Sequence, residues 1–128
     1  MRLLIDTHTL LWWLHEPEKL SRVAADALAD RDNDILVSAV SAMEIATKAR
    51  LERLAYQTPL ADQFNVTITD EGFQELAVSC VHAELAGNLP GQHRDPWDRL
   101  LAAQSQIEQL PLVTTDRQIA GWNVQIIW

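Results

Sequence analysis

Short apolar runs recur along the chain, and two of them stop at an acid. RLLID (2–6), DILVS (34–38), FQELAVS (73–79), LPLVTT (110–115) and VQIIW (124–128) have the length of buried strands. Between them lie segments with apolar residues at helical intervals: THTLLWWL after Asp6, LSRVAADALADRDN with Ser21 as N-cap, SAMEIATKARLERL (41–54), a short stretch at 80–87, and PWDRLLAAQSQIEQ (96–109). Strands that read as continuous apolar runs, alternating with amphipathic helices, predict a parallel sheet covered on both faces. In such a fold, ligands bind outside the carboxyl ends of the strands, where the next helices begin. Residues 58–71 read either way: Val66, Thr67, Ile68 and Thr69 favour a strand, and Pro59 favours a helix start.

That architecture gives the acids a shared address. Asp6 ends the first strand, Glu44 is placed in the first turn of the helix after the second, Asp98 in the first turn of the helix opened by Pro96, and Asp116 directly follows the fourth strand. Capping explains some of this. Ser41 with Glu44 fits a capping box, and Asp95-Pro96-Trp97-Asp98 fits an N-cap, N1, N3 series, each cap worth about 1 kcal/mol. Asp6 and Asp116 could cap as well, although an acid ending a buried strand is costly unless something pairs with it. Together the four acids suggest more than caps. Carboxylates gathered at one sheet edge repel and raise one another's pKa, and a divalent cation relieves the conflict. Oxygen ligands without a Cys cluster favour a hard ion, Mg2+ or Mn2+. Such an ion brings activated water and suits a phosphate ester, and helix N-termini around the site favour an anion.

The totals bound the alternatives. At 128 residues, 48% hydrophobic and 22% charged, the chain suits one globular domain spanning 1–128. Cys80 is the sole cysteine, which excludes an intrachain disulfide and a Cys-rich zinc site. A leader peptide and a membrane span are not expected, since Asp6 and His8 interrupt the first apolar run; the default location is the cytoplasm. A net charge of −8 argues against broad electrostatic binding of nucleic acid, but not against a nuclease whose bound cations reverse the local sign.

The order LLIDTHTLLWWL, SAMEIATKARL, HRDPWDRLLAAQ, LVTTD resembles the PIN domain family, and within it the VapC-type toxin ribonucleases of type II toxin–antitoxin systems. The resemblance runs across essentially the whole chain. It implies a three-layer α/β/α sandwich with a five-stranded parallel sheet, and a helical reading of 58–71. It also implies a Mg2+- or Mn2+-dependent endoribonuclease that cleaves RNA phosphodiester bonds with a metal-activated water. By position, the family's metal-binding and catalytic acids fall on Asp6, Glu44, Asp98 and Asp116. Thr114 matches a supporting Thr/Ser, and Thr7, Ser41 and Asp95 are further supporting candidates. His8, His93, Arg94 and Arg99 are candidate RNA contacts, each weighed against a packed or solvated structural role. Trp97 stands where the family usually has Phe. A cognate antitoxin and a homodimer, or a larger toxin–antitoxin assembly, are implied as partners. Of the adjacent Trp12 and Trp13, one is expected in the core and the other at an interface or against a base; Trp122 and Trp128 read as core or closing contacts.

Two rival functions share these residues. A small-molecule phosphohydrolase would use the same acidic edge, but usually wants a second Asp where this chain has His8. A non-catalytic acidic interaction module would use the acids only as caps and as a face for a basic partner.

Overall fold

A computed structural model of the protein describes residues 1–92 and 95–128. Five strands form one all-parallel sheet in the order β3-β2-β1-β4-β5, with β1 Arg2–Ile5, β2 Asp34–Ser38, β3 Gln74–Leu76, β4 Leu112–Val113 and β5 Ile126–Ile127. The helices are α1 Thr7–His15, α2 Arg22–Ala29, α3 Ala39–Arg50, α4 Phe64–Asp70, α5 Cys80–Asn88 and α6 Pro96–Glu108. This is the expected parallel α/β architecture, with β3, β4 and β5 shorter than the apolar runs that announce them.

Alternation along the strands builds two cores, one on each face. Leu3, Ile5, Ile35, Val37 and Val113 face α1, α2 and α4, with Leu10, Ala24, Leu28 and Ile68 packed against them. Leu4, Leu36 and Leu112 face the other way, onto Leu101 and Ala102 of α6 and onto Trp122. Each fully buried Leu or Ile contributes roughly 1.5–3 kcal/mol. Helix α3 serves both cores, through Ile45 on one side and Val40 on the other.

Segment 58–71 is helical, as the family resemblance implies: a 3-10 turn at Pro59–Ala61, then α4. Burial of Ile68 overrides the β-branched composition. Gly72, at φ +79°, ends α4 in a Schellman arrangement: its N–H reaches Thr69 O at 2.9 Å and that of Phe73 reaches Ile68 O at 2.9 Å. The expected Ser21 cap of α2 is present, its hydroxyl accepting from Ala24 N at 3.0 Å.

Helix α3 departs from expectation. It begins at Ala39, with Ser38 as N-cap accepting from Val40 N, so Ser41 and Glu44 do not form a capping box. The chain turns into helix directly at the end of β2, and Ser41 goes inward to meet Thr7 instead, Oγ to Oγ1 at 2.9 Å. A true capping box opens α5. Ser79 accepts from His82 N, and His82 Nδ1 accepts from Ser79 N at 3.0 Å while Nε2 meets Glu108 Oε1 at 2.9 Å. His82→Ala is expected to cost about 1–3 kcal/mol, read as a lower melting temperature; an unchanged melt would mean that Ser79 alone holds this cap.

Candidate active site

The strand order 3-2-1-4-5 reverses direction between β1 and β4, the switch point at which open parallel sheets bind ligands. Ile5 pairs with both Val37 and Val113, so the chain leaves β1, β2 and β4 side by side at their carboxyl ends. Asp6 leaves β1 there and is buried, 7% exposed. Its Oδ1 accepts from Thr9 N at 2.7 Å and its Oδ2 from the Thr114 hydroxyl. Asp6 therefore caps α1, which corrects the expectation that an acid ending a buried strand would make a poor cap; Thr9 and Thr114 supply the pairing it needs. Burial still outweighs those hydrogen bonds and holds the Asp6 carboxyl above its usual range.

Thr114 links Asp6 to Asp116, since its oxygen also accepts from Asp116 N at 3.0 Å. The Asp116 side chain accepts from Gln118 N at 2.9 Å, a local turn rather than a helix cap. Glu44 lies in the second turn of α3 and is 4% exposed, its Oε2 held by Lys48 Nζ at 2.5 Å. Asp95 does cap α6, accepting from Trp97 N at 2.9 Å and Asp98 N at 3.3 Å, and so fixes the turn that carries Asp98.

The decisive electrostatic fact is at Asp98. Its pKa is pushed up to about 7, first by burial and then by the charges of Asp95, Asp116, Glu44 and Asp6. Four carboxyl groups scattered over the sequence thus act on Asp98. Among the described residues no three acids or histidines are already drawn into a closed metal cage. Protein donors occupy Asp6 and Glu44: Thr9 and Thr114 on the first, Lys48 on the second.

Thr7 and Ser41, named as supporting candidates, are both buried and hydrogen-bonded to each other. His8 is exposed, its ring 6.3 Å from that of Trp12. Arg99 is committed elsewhere. Both terminal nitrogens donate to Leu89 O, at 3.1 and 2.7 Å, and the guanidinium lies 5.3 Å from the Trp122 ring. These contacts give Arg99 the structural role that was weighed beside an RNA contact. His93 and Arg94 lie outside the described residues. Lys48 is the participant whose role the motifs did not supply; its i,i+4 spacing from Glu44 is the signal that could have given it.

Thr114→Val tests the linkage, since it takes the donor from Asp6 and the acceptor from Asp116 N–H at once. A loss of about 1–3 kcal/mol in stability is expected, with Thr114→Ser near the parent. Equal melts for the two variants would show that the hydroxyl is dispensable.

A model of the PIN domain matches residues 3–121. The chain belongs to the PIN domain family. Ribonuclease VapC22 of Mycobacterium tuberculosis (strain ATCC 25618 / H37Rv) is 32% identical to this PIN domain over 119 residues, covering 91% of the chain and 88% of that protein. Among solved structures, VapBC2 from Rickettsia felis, bound to a DNA fragment from its promoter, superposes with a TM-score of 0.71 at 14% identity, over 98% of this chain and 97% of that one. A toxin–antitoxin complex from Klebsiella pneumoniae gives 0.58 at 21% identity, over 93% and 91%. At those identities the two structures speak for the fold alone. Among the described residues of the PIN domain, no helix is long and apolar enough to cross a membrane.

Proposed function

We propose that the protein, acting over 1–128 as one PIN-like unit, is a divalent-metal-dependent endoribonuclease and the toxin of a toxin–antitoxin pair, with Asp6, Glu44, Asp98 and Asp116 as its metal-binding and catalytic acids. The observation that carries the reading is the mutual pressure of these carboxylates on Asp98. An all-oxygen, strongly negative edge fits a hard divalent cation and nothing apolar, and Mg2+ or Mn2+ suits it best. Bound there, such an ion supplies Lewis-acid polarisation of a phosphodiester and lowers the pKa of a water nucleophile.

The chain's own residues do the positioning. Thr9 and Thr114 lock both Asp6 oxygens, and Thr114 ties Asp116 to the same point. Asp95 sets the first turn of α6 so that Asp98 sits among the other acids. With its pKa pushed up to about 7, Asp98 holds a proton more readily than an ordinary carboxyl, and a cation held there would favour its ionised form. Lys48 neutralises Glu44 in the meantime. An antitoxin that offers Arg or Lys to this edge would neutralise the same charges. A ribonuclease toxin of this kind works in the cytoplasm, as a homodimer or within a larger assembly with its antitoxin.

The test is direct. Purified protein is incubated with RNA and with a chromogenic phosphate ester, with Mg2+, with Mn2+ and with a chelator. RNA cleavage that needs the cation is expected. Ester turnover alone would replace the reading with a small-molecule phosphohydrolase, and neither activity would leave an acidic interaction module.

A further inference from the structure

An acidic edge repels the very backbone it is meant to cut, so the affinity for RNA has to come from beside it. The chain has 10 Lys+Arg against 18 Asp+Glu, yet three of those cations, Lys19, Lys48 and Arg53, line one cavity of about 230 Å³. Rings share it with them: Trp12, Tyr56 and His8. The cavity borders the acids. Lys48 reaches from its wall to Glu44, and His8 stands two residues beyond Asp6.

The charges and rings there are arranged for a ligand. Glu16 is the one acid in the lining and is already ion-paired with Lys19. Lys48 answers Glu44. Arg53 is exposed, and among the described residues its guanidinium makes no ion pair, so a positive charge is left over. Trp12 is held in position by the edge of Trp128, ring centres 5.9 Å apart, with Lys19 Nζ 5.8 Å from its centre. A fixed ring with cations around it is what single-stranded nucleic acid binds, base to ring and phosphate to charge. The volume lies below the ~300 Å³ at which drug-sized ligand sites begin, room for one unpaired base and none for a duplex.

We propose that this cavity is a nucleotide subsite: it takes one base adjacent to the scissile phosphodiester of a single-stranded RNA, packed against Trp12, with the flanking phosphate on Arg53. The proposal rests on the ribonuclease reading and makes its substrate single-stranded at the cut.

The test uses the full chain in two assays. Binding of a fluorescent single-stranded oligoribonucleotide of mixed sequence is followed by anisotropy in chelator, where no cleavage occurs; cleavage is followed separately with Mg2+. Arg53→Ala is compared with Arg22→Ala, which removes the same charge from the start of α2, outside the lining of the cavity, where Arg22 lies 3.9 Å from Asp26. Arg53→Ala should weaken binding about three- to tenfold and lower the slope of log K against log salt by about 0.7, while Arg22→Ala changes neither beyond its effect on net charge. Trp12→Leu, which keeps an apolar contact for Trp128, should weaken binding about five- to a hundredfold. In the cleavage assay both should raise KM with little change in kcat. Parental binding by both variants overturns the subsite and leaves the nuclease reading intact. Loss of binding in the variants, with no cleavage even by the parent, keeps the cavity as a single-stranded RNA site but overturns the ribonuclease reading and, with it, the placement beside a scissile phosphate. Parental RNA binding with lost affinity for the antitoxin would make the cavity a protein-docking site and overturn the proposal.

Discussion

Asp6→Asn should lower RNA cleavage by about a hundred- to a thousandfold or more, the scale of removing one group that stabilises charge in a transition state. The substitution is close to isosteric. Asn keeps an oxygen to accept from Thr9 N, and its amide N–H2 faces the Thr114 oxygen, to which it can donate where the Asp6 carboxylate accepted, so the cap of α1 is kept and the junction with β4 retains a hydrogen bond of reversed direction. What disappears is a charge, at a position where burial already makes that charge expensive. Loss of activity with an unchanged fold, judged by circular dichroism and melting, would therefore mean that the carboxylate is needed for chemistry rather than architecture. Asp95→Ala is the informative contrast. It removes the N-cap of α6 and so loosens the turn carrying Asp98, which predicts a smaller loss of about ten- to a hundredfold. An Asp6→Asn variant with activity within tenfold of the parent would remove Asp6 from the catalytic set.

Much of this site could be read from the sequence because it depends on strand ends. Asp6 and Asp116 follow apolar runs, and a parallel sheet sends all such ends to one edge; the Asp95-Pro96 cap depends on three consecutive residues. What escaped depended on contacts across the fold. Ser38 and Ser41 are both plausible caps, three residues apart, and the capping-box pattern with Glu44 favours the wrong one. The choice falls to Ser38 because Ser41 has a buried partner in Thr7, 34 residues away. Arg99 follows Asp98 and looks like an ion-pairing or phosphate-binding group. Its actual partner, Leu89 O, is brought to it only by the return of the α5–α6 connection. The apolar runs overstate the starts of β4 and β5 because Pro111 and Val124 extend them ahead of the ladder, which pairs only Leu112 with Ile126 and Val113 with Ile127.

Asp98→Asn should do the opposite of a usual buried-site substitution and stabilise the metal-free protein at neutral pH. In the fold, burial and the charges of Asp95, Asp116, Glu44 and Asp6 raise the Asp98 pKa from 3.8 to about 7. The native state therefore holds a proton that the unfolded chain has lost between those values, so stability falls as pH rises from about 4 to about 7 and levels off above. The ceiling for such a displacement is roughly 4 kcal/mol. Asp98 is only half-buried, so screening by water brings the expected penalty at pH 7 to about 1–2 kcal/mol. Asn removes that penalty and forfeits about 0.3–1 kcal/mol of favourable interaction with the α6 N-terminus. The net gain of about 1 kcal/mol corresponds to a melting temperature some 3–6 °C higher. At pH 4, where Asp98 is protonated in the fold, the gain should vanish. Mg2+ or Mn2+ should reverse the order, raising the melt of the parent more than that of the variant, because the cation binds the native carboxylates alone. A lower melt for Asp98→Asn in chelator at pH 7 would mean that the helix-end attraction outweighs the repulsion. The edge would then be a set of caps, with no excess charge for a cation to relieve.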